Sequence, residues 1–180
     1  MTLVPPQTPS LLSRWTSLWS ECQRWYGDRP GEVQQILEIR GIEVDQIDPQ
    51  NDSSFPILVY TSALAVVSNA VYHITSLLLL KNRPRLLTAV TGPRCFTSHV
   101  WHAQSIAGIV INNDFPEQWD PILVTGLLLA AKDMTHQSQQ SAVLKRLQTI
   151  TAMSGMKLDQ EIETLKSAWD IAAYDESTVT

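Results

Sequence analysis

Trp101-His102-Ala103-Gln104 opens a run that passes through Asn112-Asn113-Asp114 and Asp120-Pro121. It continues with Leu127-Leu128-Leu129-Ala130-Ala131-Lys132 and Met134-Thr135-His136-Gln137-Ser138-Gln139-Gln140, and every part reads as helix or helix punctuation. A helix is predicted from near Ser98 to about Asn112-Asn113-Asp114, where asparagine tolerates the left-handed conformation of a helix end. Asp120 caps the next helix, with Pro121 at its first position. Thr135 and Ser138 both offer caps for a third, whose buried side is Leu144, Leu147, Ile150 and Met153, and Gly155 breaks it.

Downstream, Leu158, Ile162, Leu165, Trp169 and Ala172 advance in 4-3-4-3 steps like a heptad seam. Upstream, residues 1–10 form an extended lead-in, carrying three prolines within residues 1–9. Ser10 or Ser13 then caps a helix whose stripe includes Leu11, Trp15, Leu18, Trp19, Cys22, Trp25 and Tyr26. Gly27 ends it, and Pro30 suits the first turn of a short second helix with Val33, Ile36, Leu37 and Ile39. Residues 41–54 are a polar connector with Asp48-Pro49 and Asn51-Asp52-Ser53-Ser54 as turn chemistry. A long helix, apolar on most faces, is expected over about residues 56–80, stopped by Arg83-Pro84. No period-two pattern or internal repeat is evident. The expectation is all-α: a single-domain bundle of about seven helices over residues 11–174, with a frayed tail at 175–180.

Composition fits that reading. The chain has 180 residues, 44% apolar and 17% charged, six Trp and a formal net charge of −5. Such a length carries one real core. An acidic chain without a basic run has no footprint for phosphate backbones, so no direct nucleic-acid partner is expected. Cys22 and Cys95 are too few for a secreted disulfide framework, which points to a reducing compartment and away from secretion. Residues 1–6 lack the pattern of a signal peptide. Polar residues inside the long apolar run, Asn69 and His73 among them, favour a buried helix of a soluble protein over a membrane span.

The order Trp-His-Ala, Asn-Asn-Asp, Asp-Pro and Met-Thr-His-x-Ser-Gln-Gln resembles the C-terminal part of the helical regulatory domain of fungal zinc-cluster transcription factors. Tyr72-His73, Leu77 to Leu80 and Arg83-Pro84 are similar to that family's tyrosine-histidine helix. Trp19, Trp25-Tyr26 and Arg29-Pro30 are similar to its preceding tryptophan-rich segment. The similarity covers roughly residues 15–155. It implies a regulatory, interaction-prone helical domain and nuclear residence; otherwise the chain is expected in the cytoplasm. Gln137 stands where the family commonly has proline. The family's zinc cluster needs six thiolates, and two separated cysteines do not supply them.

Several residues carry candidate chemistry. Tyr72-His73 and Trp101-His102 each couple an aromatic wall to an imidazole, as packed core or as the wall of an apolar ligand pocket. Arg94, with Arg83 and Arg85, is either an anion contact or a solvated helix-terminating loop. Asp133 and His136 suit an orienting pair or simple capping. His99 and His102 share a helix, but the further ligands a metal would need are not evident, and no metal or cofactor is expected.

Two functions follow. The first is a non-enzymatic regulatory domain that binds a protein partner or a second copy through the seam Leu158, Ile162, Leu165 and Trp169, with a small apolar ligand near Tyr72, His73, Trp101, His102 and Arg94. The alternative is a stand-alone enzyme of fungal specialised metabolism that shapes a greasy substrate with help from His73, His102, Asp133 or His136. An enzyme requires a cavity of several hundred Å³, about the size of a small-molecule site, with two converging titratable groups. A solid core between Tyr72 and Trp101 favours the regulatory reading.

Overall fold

The computed structural model describes residues 10–40, 55–87, 90, 92–115 and 120–177, with side chains up to Trp169. The connector over 41–54 and the lead-in up to residue 9 lie outside the described residues. Among the described residues six α-helices form the body: α1 (Leu11–Gly27), α2 (Ala63–Lys81), α3 (His99–Asn112), α4 (Pro121–Ala131), α5 (Gln137–Ser154) and α6 (Asp159–Ser177). The fold is an all-α bundle. It also carries one small antiparallel ribbon, β1 (Leu37–Ile39) paired with β2 (Ile57–Val59), with Glu38 opposite Leu58.

That ribbon corrects two expectations. The second helix expected after Pro30 is a single 3-10 turn, Gly31–Val33, followed by strand. The long helix begins at Ala63 rather than near residue 56, because Ile57-Leu58-Val59 is extended and Ser62 is the cap, its Oγ accepting from Ala65 N at 3.2 Å. Val33, Ile36, Leu37 and Ile39 fit a helical period, but the β-branched residues of 57–59 offer a partner strand, and pairing overrides the local pattern.

Several of the other expected caps hold. Ser10 accepts from Ser13 N at 3.1 Å, Ser98 from Trp101 N at 3.2 Å and Asp120 from Ile122 N at 2.9 Å, with Pro121 opening α4. Gly155 ends α5 at φ 73°, a left-handed conformation that suits glycine. Two cap assignments fail. His136, not Thr135 or Ser138, occupies the N-cap of α5 and makes no side-chain cap bond. Helix α3 ends with Asn113 extended, at φ −124° and ψ 117°. The Asn113 side chain works instead between elements: Nδ2 donates to Leu58 O at 2.7 Å and Oδ1 accepts from Tyr60 N at 2.9 Å. Arg146 of α5 completes this corner, donating to Val110 O and Asn113 O where α3 exposes its last carbonyls.

Helix α3 is central, packed between α2 and α4 and across β2. Its Gly108 lies so close to Pro56 that an added Cβ would overlap the Pro56 carbonyl. Helix α2 is long and apolar enough to cross a bilayer by length and composition. Ten of its residues are buried within the chain, including Asn69, His73 and Ser76, as suits a core helix.

The C-terminal seam is also interior. Leu158, Ile162, Leu165 and Trp169 are 2–8% exposed, and Trp169 Nε1 donates to Ala131 O at 2.9 Å. The partner surface expected there is taken up by the protein's own core, because α4 is apolar nearly all round and needs cover on that side. Helix α6 continues to Ser177, so the expected frayed tail is helical over residues 175–177; residues 178–180 lie outside the described residues, as does the Ala172 side chain.

Candidate functional site

Two aromatic-histidine dipeptides meet where α2 crosses α3. Trp101 is half-buried, while Tyr72, His73 and His102 are buried, both histidines at no more than 1% exposure. The imidazoles face each other with Nδ1 to Nδ1 at 3.0 Å, and His102 Nε2 lies 2.9 Å from Phe96 O. A carbonyl only accepts, so Nε2 of His102 carries the proton. Neutral His102 then presents a bare Nδ1, and the proton between the rings belongs to His73 Nδ1. The protonation pattern follows from the bonds.

Both rings are held neutral. Burial pushes His73 well below its ordinary 6.5, and His102, Arg40 and Arg29 add to the effect. Burial lowers His102 to about 4; the bond to Phe96 opposes the shift and Arg40 assists it. Burial also raises the phenol of Tyr72, with Tyr26 adding to the rise.

Rings fill the surrounding space. Tyr26 of α1 stacks on Tyr72 at 4.2 Å and meets Phe96 edge-on at 5.3 Å. Trp101 lies 5.0 Å from His73 and 4.8 Å from His102. Two cations close the outside. Arg29 covers the Tyr26 ring at 3.6 Å and donates to buried Asn69; Arg40 sits over Trp101 at 4.8 Å and donates to Ser105 Oγ. Between Tyr72 and Trp101 stand the two imidazoles, His102 5.7 Å from the Tyr72 ring and His73 5.0 Å from that of Trp101.

The other expected site residues lie elsewhere. Asp133 pairs with Lys81 at the end of α2, eight residues beyond His73, or about 12 Å along the helix. His136 and His99 are exposed at helix starts, and Arg94 is exposed on the loop before α3. None joins the histidine pair. Among the described residues no three His, Cys, Asp or Glu side chains come together as metal ligands.

Open space lies outside the cluster. A cleft of about 620 Å³ runs between α1 and the loop before α3, walled by Trp19, Gln23, Tyr26, Pro93 and Phe96; among the described residues Tyr26 is its one titratable side chain. A second groove of about 360 Å³ follows the α1–α2 boundary past Cys22, Trp25, Val67, Val71 and Tyr72. Burial and the neighbouring Glu21 raise the Cys22 thiol, which disfavours its nucleophilic form.

The sequence alone left Phe96, Arg40, Arg29 and Asn69 out of the site. Tyr26 stood on the α1 stripe and Arg29 in the tryptophan-rich segment, but Phe96 and Arg40 carry no local signal; chain folding brings them in. Comparisons with family models, curated proteins and solved structures found no match.

Proposed function

We propose that this chain is a regulatory interaction domain, similar to the effector region of fungal zinc-cluster transcription factors, that binds rather than converts. The observation that supports this is the closed state of the Tyr72–His73–His102–Trp101 cluster. A general base must reach a substrate proton within hydrogen-bond distance. Here each histidine spends its Nδ1 on the other, and His102 spends its second nitrogen on Phe96 O. Asp133 and His136 stand apart from them, and neither of the two clefts described above has a histidine or a carboxylate among its described wall residues. These bonds weigh against the enzyme reading.

A small apolar ligand belongs in the α1 cleft rather than between the histidines. Its volume falls within the small-molecule range, and Trp19, Tyr26 and Phe96 supply aromatic walls. Since Tyr26 stacks on Tyr72, occupancy there would press on the ring cluster and through it on α2. Nuclear residence rests on the resemblance. The test is fusion of the full chain to an unrelated DNA-binding module, read by reporter transcription. A change of several-fold over the module alone is expected. No change, together with substrate turnover that His102→Ala abolishes without unfolding, would overturn the regulatory reading.

A further inference from the structure

Helix α1 exposes Leu11, Leu18 and Trp25, each seven residues from the next, and α2 exposes Leu64, Val71 and Leu78 at the same spacing. Residues seven apart on an α-helix fall within about 20° of one another, so each set is one nearly straight stripe. The helices are antiparallel neighbours. Trp15 Nε1 donates to Leu79 O at 2.8 Å, and Tyr72 Oη donates to Gln23 Oε1 at 3.3 Å, so numbers rise on α1 as they fall on α2. Leu18 therefore lies level with Leu78, and Trp25 with Val71, on either side of the groove that Cys22 and Val67 line.

We propose that this face is a self-association surface, a second copy of the chain being its occupant. The six side chains are 40–75% exposed and present on the order of 600 Å² of apolar surface, at the upper limit for a patch on a typical monomer. Only if all six side chains were wholly covered in both copies would two such faces total more than the ~1,000 Å² expected of a specific interface. Symmetry supplies the fit. A twofold axis parallel to the helices lays α1 of one copy on α2 of the other without changing any residue's level, so Leu18 meets Leu78 and Trp25 meets Val71 in both directions. Charge on this face comes from α1, where Arg14 and Glu21 flank the stripe; residues 63–80 of α2 contain no Asp, Glu, Lys or Arg. The surface extends the interaction reading, yet it stands on this geometry alone.

Sedimentation equilibrium of the full chain at 1–100 μM, concentrations that bracket a micromolar Kd of about −8 kcal/mol, tests the proposal. The expected species has twice the chain mass of 20.2 kDa. Leu18→Glu with Val71→Glu places charges in the apolar seam and should weaken association by roughly a hundredfold or more. If circular dichroism shows that pair to be unfolded, Leu18→Gln with Val71→Thr replaces it and should weaken association in the same direction. A wild-type monomer across the range overturns the proposal, as does a dimer that folded variants leave intact, including one held through another surface. Either result leaves the reporter test of the regulatory reading unaffected.

Discussion

The ring cluster under α3 and the outer face of α1 and α2 use the same kinds of residue and end in opposite states. In the cluster, Tyr26, Tyr72, Phe96 and Trp101 close around two histidines whose paired nitrogens bond within the fold, and arginines seal the outside. On the outer face, Leu18, Trp25, Val71 and Leu78 remain 40–51% exposed. Tyr72 borders both, stacked on Tyr26 inward and lining the groove outward. What separates them is covering. A third helix and a loop close one region, and the other stays partly exposed. Aromatic content therefore does not locate a binding site; unfilled neighbouring space does.

The largest expected effect lies in the sealed region. His102→Ala removes a filled volume and leaves Phe96 O and the His73 Nδ1 proton without their partner, which should cost about 4 kcal/mol of folding stability. Urea denaturation measures it, and a loss below ~1 kcal/mol, within the range of an ordinary surface change, would mean that the pair is not the closed unit described. Next comes acidity. Both histidines are neutral in the fold and protonate near 6.5 when unfolded, so the unfolded chain takes up protons first. Their contribution is complete above that value and is lost as pH falls toward about 4, the folded value for His102. Between pH 7 and pH 5 this removes about 2 kcal/mol through His102, with His73 acting in the same direction. A denaturation midpoint that does not move between those pH values would contradict the burial of the pair. The smallest effect belongs to the open face. Leu18→Gln should change the stability of the dilute monomer by less than ~0.5 kcal/mol. A larger loss would show that the stripe is already covered within one copy, which erases the contrast between the two regions.

Much of this architecture was legible locally. Ser10, Ser98 and the Asp120-Pro121 step announce helix starts because a side-chain oxygen meets amides two or three residues away. Gly155 announces an end because its conformation disfavours a Cβ. Tyr72-His73 and Trp101-His102 were also visible as aromatic-imidazole pairs. Their joining was not, since the bond between the rings spans 29 residues and exists only when α2 and α3 pack. The ribbon was hidden for a similar reason: residues 37–39 follow a helical period and become strand only beside Ile57-Leu58-Val59.

The sequence by itself determined the helical class and most helix boundaries, because capping and periodicity act within a few residues; it did not fix the core, since Met153, expected on the buried side of α5, is half exposed. Tertiary structure alone decided which apolar stripe turned inward. The heptad from Leu158 to Trp169 reads as an interface and is buried under α4, whereas the stripes through Leu18 and Val71 stay open. A stripe states only that one side of a helix avoids water. Which surface covers it depends on elements distant in the chain, and that information exists only once they have packed.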